Sequence, residues 1–401
     1  MKLFLLAMTT LIFLSACSSS PSPVLPPLML KPFKAELHVA SEWHRTIGNG
    51  VSDSYLKMPP TYAGDIGYAA NAQGKLVAFD LKTGAVKWSK QYVLPFSNAP
   101  VIINNTLFLG TLQGVLVAIN ATQGDILWKI QLSSEILAPV ATNGDIVIAK
   151  TVDGTLEALN VSDGKKVWSH SDDEPSLSLR GQSAPVIADN ILIYASDEGK
   201  IAALTLQSGT ELWTRQVAIP HGGTELARMI DIDATPVVYD GTIYVSAYQG
   251  RLAAINLQSG RIIWVREIST YTGLAVDAYR VYLSDSEGRV WAIDRKTGTT
   301  LWKQDQLLRR SVTAPVLQNS YVVVADFNGF IHWLARDDGH LVARTRMSRD
   351  GGDDETEDFK FLEFAKWNNI LAVPRRIDNT TLLVMDRTGW LESFKLQPPI
   401  Q

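Results

Sequence analysis

One cysteine, six histidines and one dense acidic run are the groups in this chain with an obvious capacity for chemistry, and each has a spacing against which that chemistry can be judged. Cys17 comes directly after the small residues Ser15 and Ala16, which follow an apolar stretch from Leu3 to Leu14 with Lys2 ahead of it. About twelve apolar residues are too few to cross a bilayer but suit the hydrophobic part of a secretory signal, so residues 1–16 read as a signal peptide. His38, His44, His170, His221, His332 and His340 include no pair at metal-ligand spacing, and no second cysteine is present to complete a zinc set. They are expected at the surface or in turns, with no metal and no cofactor held. The run Asp350 to Asp358 contains six acidic residues and reads as a solvated loop.

Two other stretches have the composition of a binding surface. Leu177, Leu179 and Arg180 lie in an otherwise polar approach to a strand, and leucine beside arginine is a common interface composition. The alternative is that both leucines pack down onto neighbouring structure. Asp231 and Asp233 alternate, so they face one side of an extended segment, unless they serve local turn hydrogen bonds instead.

Charge narrows the partners. With 37 Lys+Arg against 41 Asp+Glu the formal net charge is −4, and no basic run of the kind that tracks phosphates occurs, which argues against nucleic acid. Leu14-Ser15-Ala16-Cys17 resembles the bacterial lipobox, which implies lipidation at Cys17, and Ser18 after it resembles an outer-membrane sorting signal. The resemblance implies a protein tethered by lipid at the periplasmic face of the outer membrane. Residues 17–35 are rich in serine and proline and read as an extended spacer, leaving 36–401 as the folded body.

What must position these groups is a repeat. Gly74 to Trp88 recurs as Gly114 to Trp128, Gly154 to Trp168, Gly199 to Trp213, Gly250 to Trp264 and Gly288 to Trp302, each with a second glycine ten residues after the first. A seventh copy, from Gly329, keeps both glycines but has Ala343 in place of tryptophan; an eighth starts at Gly389. After the first glycine the pattern alternates, as at Leu76 and Ala78, which predicts a half-buried strand. An Asp/Asn/Ser-x-x-Gly turn and a tryptophan-bearing strand follow. Most copies are preceded by two more strands, the first opened by a proline such as Pro100, Pro139 or Pro185. Four antiparallel strands per period of roughly 40 residues is the content of a propeller blade. The predicted fold is therefore all-β: an eight-bladed β-propeller closed by pairing of the N- and C-terminal strands, with Trp43 on the N-terminal strand. Trp43, Trp88, Trp128, Trp168, Trp213, Trp264 and Trp302 are assigned to docking between blades.

The motif Gly-x-Leu-x-Ala-hydrophobic-Asn/Asp-x-x-x-Gly-x-x-x-Trp resembles the tryptophan-docking repeat of the pyrroloquinoline-quinone enzyme-like propellers, and with the lipobox and eight blades it resembles the BamB family, over residues 36 to 397. That resemblance implies a non-catalytic scaffold of the outer-membrane β-barrel assembly machinery. It implies binding to the periplasmic POTRA domains of BamA, with other subunits reached through BamA and nascent barrels contacted in addition. Leu177, Leu179, Arg180, Asp231 and Asp233 match the family's BamA-binding loops. The alternative within the same repeat class is a quinone- and calcium-dependent dehydrogenase. Its adjacent-cysteine disulfide is impossible here, and the chain leaves no room for that family's long pocket-building insertions.

Overall fold

The computed structural model describes residues 25–51, 54–171, 183–196, 198–218, 232–248, 250–347, 370 and 372–397. The leader with Cys17, the loop residues Leu177, Leu179, Arg180 and Asp231, His221, and the acidic run from Asp350 to Asp358 lie outside them. Among the described residues the chain forms thirty-two strands, from β1 (Val39–Thr46) to β32 (Trp390–Leu396), sorted into eight four-stranded antiparallel sheets without a helix.

Blade 1 shows how one period folds. β2 (Thr61–Ala63), β3 (Ile66–Ala70), β4 (Lys75–Asp80) and β5 (Val86–Gln91) pair in that order, and the register between β4 and β5 passes through Ala78↔Trp88 and a bulge to Phe79↔Val86. The Asp80 carboxylate accepts the N–H groups of Lys82 at 3.2 Å and Thr83 at 3.0 Å, and so shapes the turn that Gly84 closes at φ +66°. The half-buried strand predicted around Leu76 and Ala78 is wrong in one respect. Leu76, Val77, Ala78 and Phe79 are all buried, because a blade lies between two others and both its faces are covered.

Ring closure uses both ends of the chain. The eighth sheet has the order β1, β32, β31 (Thr381–Met385), β30 (Arg375–Arg376), and β1 pairs with β32 from Val39↔Leu396 to Thr46↔Trp390. First strands of neighbouring blades pack on one another and line the axis. Successive antiparallel strands then put the connectors between blades at one end of the ring, together with the loops joining second to third strands. The other hairpins lie at the opposite end.

Seven tryptophans on outermost strands link blade to blade. Trp43, Trp88, Trp128, Trp168, Trp213, Trp264 and Trp302 donate their indole N–H groups to the carbonyls of Leu81, Ala121, Val161, Leu206, Leu257, Arg295 and Arg336 in the next blade, at 2.7 to 3.0 Å. Each ring lies against the second glycine of that blade's motif. At Gly209 a Cβ would come within 2.6 Å of the Trp168 ring, and φ is +67°. Gly209→Ala is therefore expected to cost about 2–4 kcal/mol, from a left-handed alanine and an overpacked ring together. A urea midpoint indistinguishable from wild type would show that the ring has room to yield.

Blade 7, with β26 (Val316–Gln318), β27 (Tyr321–Ala325), β28 (Phe330–Ala335) and β29 (Leu341–Arg346), departs from the pattern. The described part of the proline-rich stretch is seated on it and on the connector that leads into it: Leu28 N–H donates to Leu308 O at 3.0 Å, Arg309 Nε–H to Pro26 O at 2.7 Å, and Phe33 lies under the Arg344 guanidinium. His332, expected at the surface, is instead fully buried on β28, with Nε2 3.1 Å from Asp326 Oδ2. The reason is the one that buries Val77: the third strand of a sandwiched blade has no solvent face.

Candidate interaction rim

At the connector end of the ring, the approaches to blades 4 and 5 come together where each enters its first strand, β14 (Val186–Ala188) and β18 (Val237–Tyr239). Ser183 Oγ donates to Ala234 O at 3.2 Å, and Ala184 N–H donates to Thr235 Oγ1 at 3.1 Å. These two bonds tie the roots of the connector that carries Leu177, Leu179 and Arg180 to the root of the one that carries Asp231 and Asp233. Prolines 185 and 236 follow directly, so neither strand needs an N–H at its first step.

Asp233 is the one member of the five whose surroundings are described. Its neighbours Ile232 and Ala234 are both buried, Ile232 in the cluster shared by blades 4 and 5, and alternation along the extended chain turns the carboxylate the other way. There it meets Lys57 Nζ at 2.9 Å, with side chains 22% and 33% exposed. Lys57 belongs to the approach to blade 1, which stands across the ring from blade 5, so the pair spans the mouth of the axis. A half-solvated pair of this kind contributes little to stability, about 0–1 kcal/mol, but it fixes where each charge sits. Tyr271, from the approach to blade 6, is close enough that burial first, then the charges of Tyr248 and Asp233, push its phenol above the usual range. Tyr248 and Tyr271 meet edge to face, their ring centroids 6.1 Å apart.

Lys57, Tyr248 and Tyr271 were not picked out from the sequence. None lies in the repeat motif, and no local signal marks a lysine that finds its partner 176 residues away on the opposite blade. No group of three or more histidine, cysteine or acidic side chains able to hold a metal occurs among the described residues.

A family model described as outer membrane protein assembly factor BamB matches residues 95–304. The curated "Outer membrane protein assembly factor BamB" of Pseudomonas aeruginosa is 47% identical over 335 residues, covering 84% of this chain and 88% of the relative. Among solved structures, BamB from Moraxella catarrhalis superposes with a TM-score of 0.76 at 26% identity, covering 89% of this chain and all of that one. A europium-containing methanol dehydrogenase superposes with a TM-score of 0.70 but is only 12% identical over 86% of this chain and 84% of its own, a likeness of fold alone. With half of the repeat region matched by the family model and nearly half of all aligned residues shared with a relative of similar length, the chain belongs to the BamB family of outer membrane protein assembly factors.

Proposed function

We propose that the propeller is a non-catalytic scaffold of the outer-membrane β-barrel assembly machinery, held by lipid on Cys17 at the periplasmic face of the outer membrane and docked on the POTRA domains of BamA. The docking surface is the rim formed by the connectors of blades 4 and 5. Leu177 and Leu179 supply apolar contacts that lose water on binding, and Arg180, Asp231 and Asp233 set orientation through charge-assisted hydrogen bonds. The observation that supports this reading is the pair of bonds from Ser183 and Ala184 to Ala234 and Thr235, which hold the last residues of the two connectors side by side. A closed propeller is suited to the task because its blades pack rigidly, so that loops rooted on two of them present a fixed surface.

The test is capture of the mature protein by immobilised BamA periplasmic domains. Wild type is expected to be retained. Leu179→Ala, Arg180→Ala and Asp231→Ala are each expected to weaken binding by about 2 kcal/mol or more, roughly thirty-fold, as residues central to an interface do. Retention of all three variants at the wild-type level would move the docking surface elsewhere on the propeller.

A further inference from the structure

The first strand of blade 8, β30, consists of two consecutive arginines. Arg375 Nε–H donates to Pro60 O at 3.2 Å, at the entry to blade 1, and Arg376 Nη1–H donates to Leu317 O at 3.2 Å, in blade 7. The Tyr62 hydroxyl donates to Arg376 O at 3.2 Å. Alternation along the strand thus sends one guanidinium into each of the two grooves that flank blade 8. A cavity of about 370 Å³ joins them, walled by Tyr62, Pro315, Pro374 and the two arginines. Its walls are the opening residues of first strands, so it lies at the connector end of the axis.

Neither arginine pairs with a carboxylate among the described residues, although Arg251, Arg280, Arg289, Arg295, Arg310 and Arg336 all do. Each spends one N–H on a backbone carbonyl, and a guanidinium has five. Arg375 is walled by protein closely enough that burial lowers its pKa, with only Tyr62 acting the other way, yet both side chains keep an exposed face. Arginine stays protonated under such conditions. Two adjacent cations, the first of them partly shielded from water, thus stand without a counter-charge among the described residues. Lys57, at the same mouth, is already neutralised by Asp233.

We propose that this mouth is an oxyanion site, in which Arg375 and Arg376 together bind one carboxylate or phosphate group entering along the axis. The planar fork of each guanidinium matches both anions. The assignment does not depend on the partner proposed for the connector rim.

Isothermal titration of the full chain with inorganic phosphate, and separately with N-acetylglycine, each against sodium chloride at matched ionic strength, tests it. Saturable one-site binding is expected for at least one of the two anions. It should be at least ten-fold weaker in Arg375→Gln/Arg376→Gln, and within two-fold of wild type in Arg261→Gln, an exposed arginine on a turn. Tighter binding of phosphate assigns the natural ligand to phosphate esters; tighter binding of N-acetylglycine assigns it to a carboxylate. The proposal is overturned if neither anion gives saturable heat with the wild-type chain, if chloride reproduces the signal, or if the doubly substituted chain binds as well as wild type. Should that chain fold poorly, Arg375→Lys/Arg376→Lys keeps the charges and loses the forks, and the proposal requires it to bind more weakly than wild type.

Discussion

Asp326→Asn is expected to lower the free energy of unfolding by about 3–5 kcal/mol, the cost of leaving a buried arginine without its counter-ion. Asp326 and Arg310 have essentially no solvent exposure, and Arg310 Nε–H donates to Asp326 Oδ2 at 2.6 Å. Asparagine retains an oxygen for the N–H groups of Asn328 and Phe330, which Asp326 Oδ1 accepts at 2.9 and 3.1 Å, so the loop between β27 and β28 keeps its shape, while an amide NH2 replaces the Oδ2 that accepts from Arg310 and faces His332. Apart from the Phe327 and Phe330 rings, whose centroids lie 5.5 and 5.8 Å from its guanidinium carbon, Arg310 has little else to fall back on. Its Nη1–H reaches Leu28 O at 3.2 Å, whereas Nη2 is buried without a hydrogen-bond partner. Adding Arg310→Met should recover a large part of the loss, because a buried pair replaced on both sides by neutral groups costs far less than a pair broken on one side. Urea denaturation of the single and double variants measures both effects; equal midpoints for the two would show that the loss is not one of unpaired charge.

The same cluster makes stability depend on pH. Burial would raise the Asp326 carboxyl, but the hydrogen bond with His332 and the Arg310 guanidinium beside it outweigh this and hold the group below the usual carboxylate range. Burial lowers His332, against the pull of Asp326. The neutral ring then carries its proton on Nε2, facing Asp326, and accepts Arg344 Nε–H at Nδ1, 3.3 Å away. In the unfolded chain the imidazole gains a proton near pH 6.5, where the buried ring does not, so its contribution is present above that pH and is lost as pH falls below it. The Asp326 contribution is present above the unfolded carboxylate range and is lost only at lower pH. His340, raised chiefly by its hydrogen bond with Asp338, has the opposite sign, but its pairs are exposed and count for little.

The architecture was legible because it repeats. A glycine ten residues after another and a tryptophan four beyond it recur with little change in six copies, and each of these reports the same two facts, a tight turn and a large ring. The family was legible for the same reason. What depends on one blade meeting another out of register was not. The burial of His332 and of β4 on both faces follows from neighbours that a single strand does not encode. The missing tryptophan at Ala343 has a reason that only the ring supplies. In the other junctions the tryptophan rests on the hairpin between the third and fourth strands of the following blade. In blade 8 those strands are β32 and β1, from opposite ends of the chain, so no hairpin glycine exists to receive a ring. Leu37 packs with Ala343 instead, and Glu36 N–H donates to Val342 O at 2.8 Å. Of the five residues proposed for the rim, only Asp233 lies among those described, and its ion pair with Lys57 crosses the axis, where sequence distance carries no information.

Removing residues 36–46 should cost more than any point substitution, because it opens the ring. β1 supplies the outermost strand of blade 8 and, through Trp43, the contact to blade 1. The indole N–H bonds Leu81 O at 3.0 Å, the ring packs edge to face on Phe79, and Gly84 lies against it. Without β1, seven residues of β32 lose their ladder partner and present an unpaired edge, while the apolar face of blade 1 that Trp43 covered meets water. Losing one such ring alone costs about 3–5 kcal/mol when a buried tryptophan is cut to alanine, and a domain has only about 5–15 kcal/mol in total. The truncated chain is therefore expected to lose its cooperative urea transition and to self-associate through the exposed edge, read by light scattering and dye binding. A synthetic peptide of residues 36–47, added during refolding, should restore the transition in wild-type form but not when Trp43 is replaced by alanine. A truncated chain that stays monomeric and unfolds cooperatively near the wild-type midpoint would mean that seven blades hold their curvature without the closing strand, and that the pairing of the two chain ends follows from the ring rather than making it.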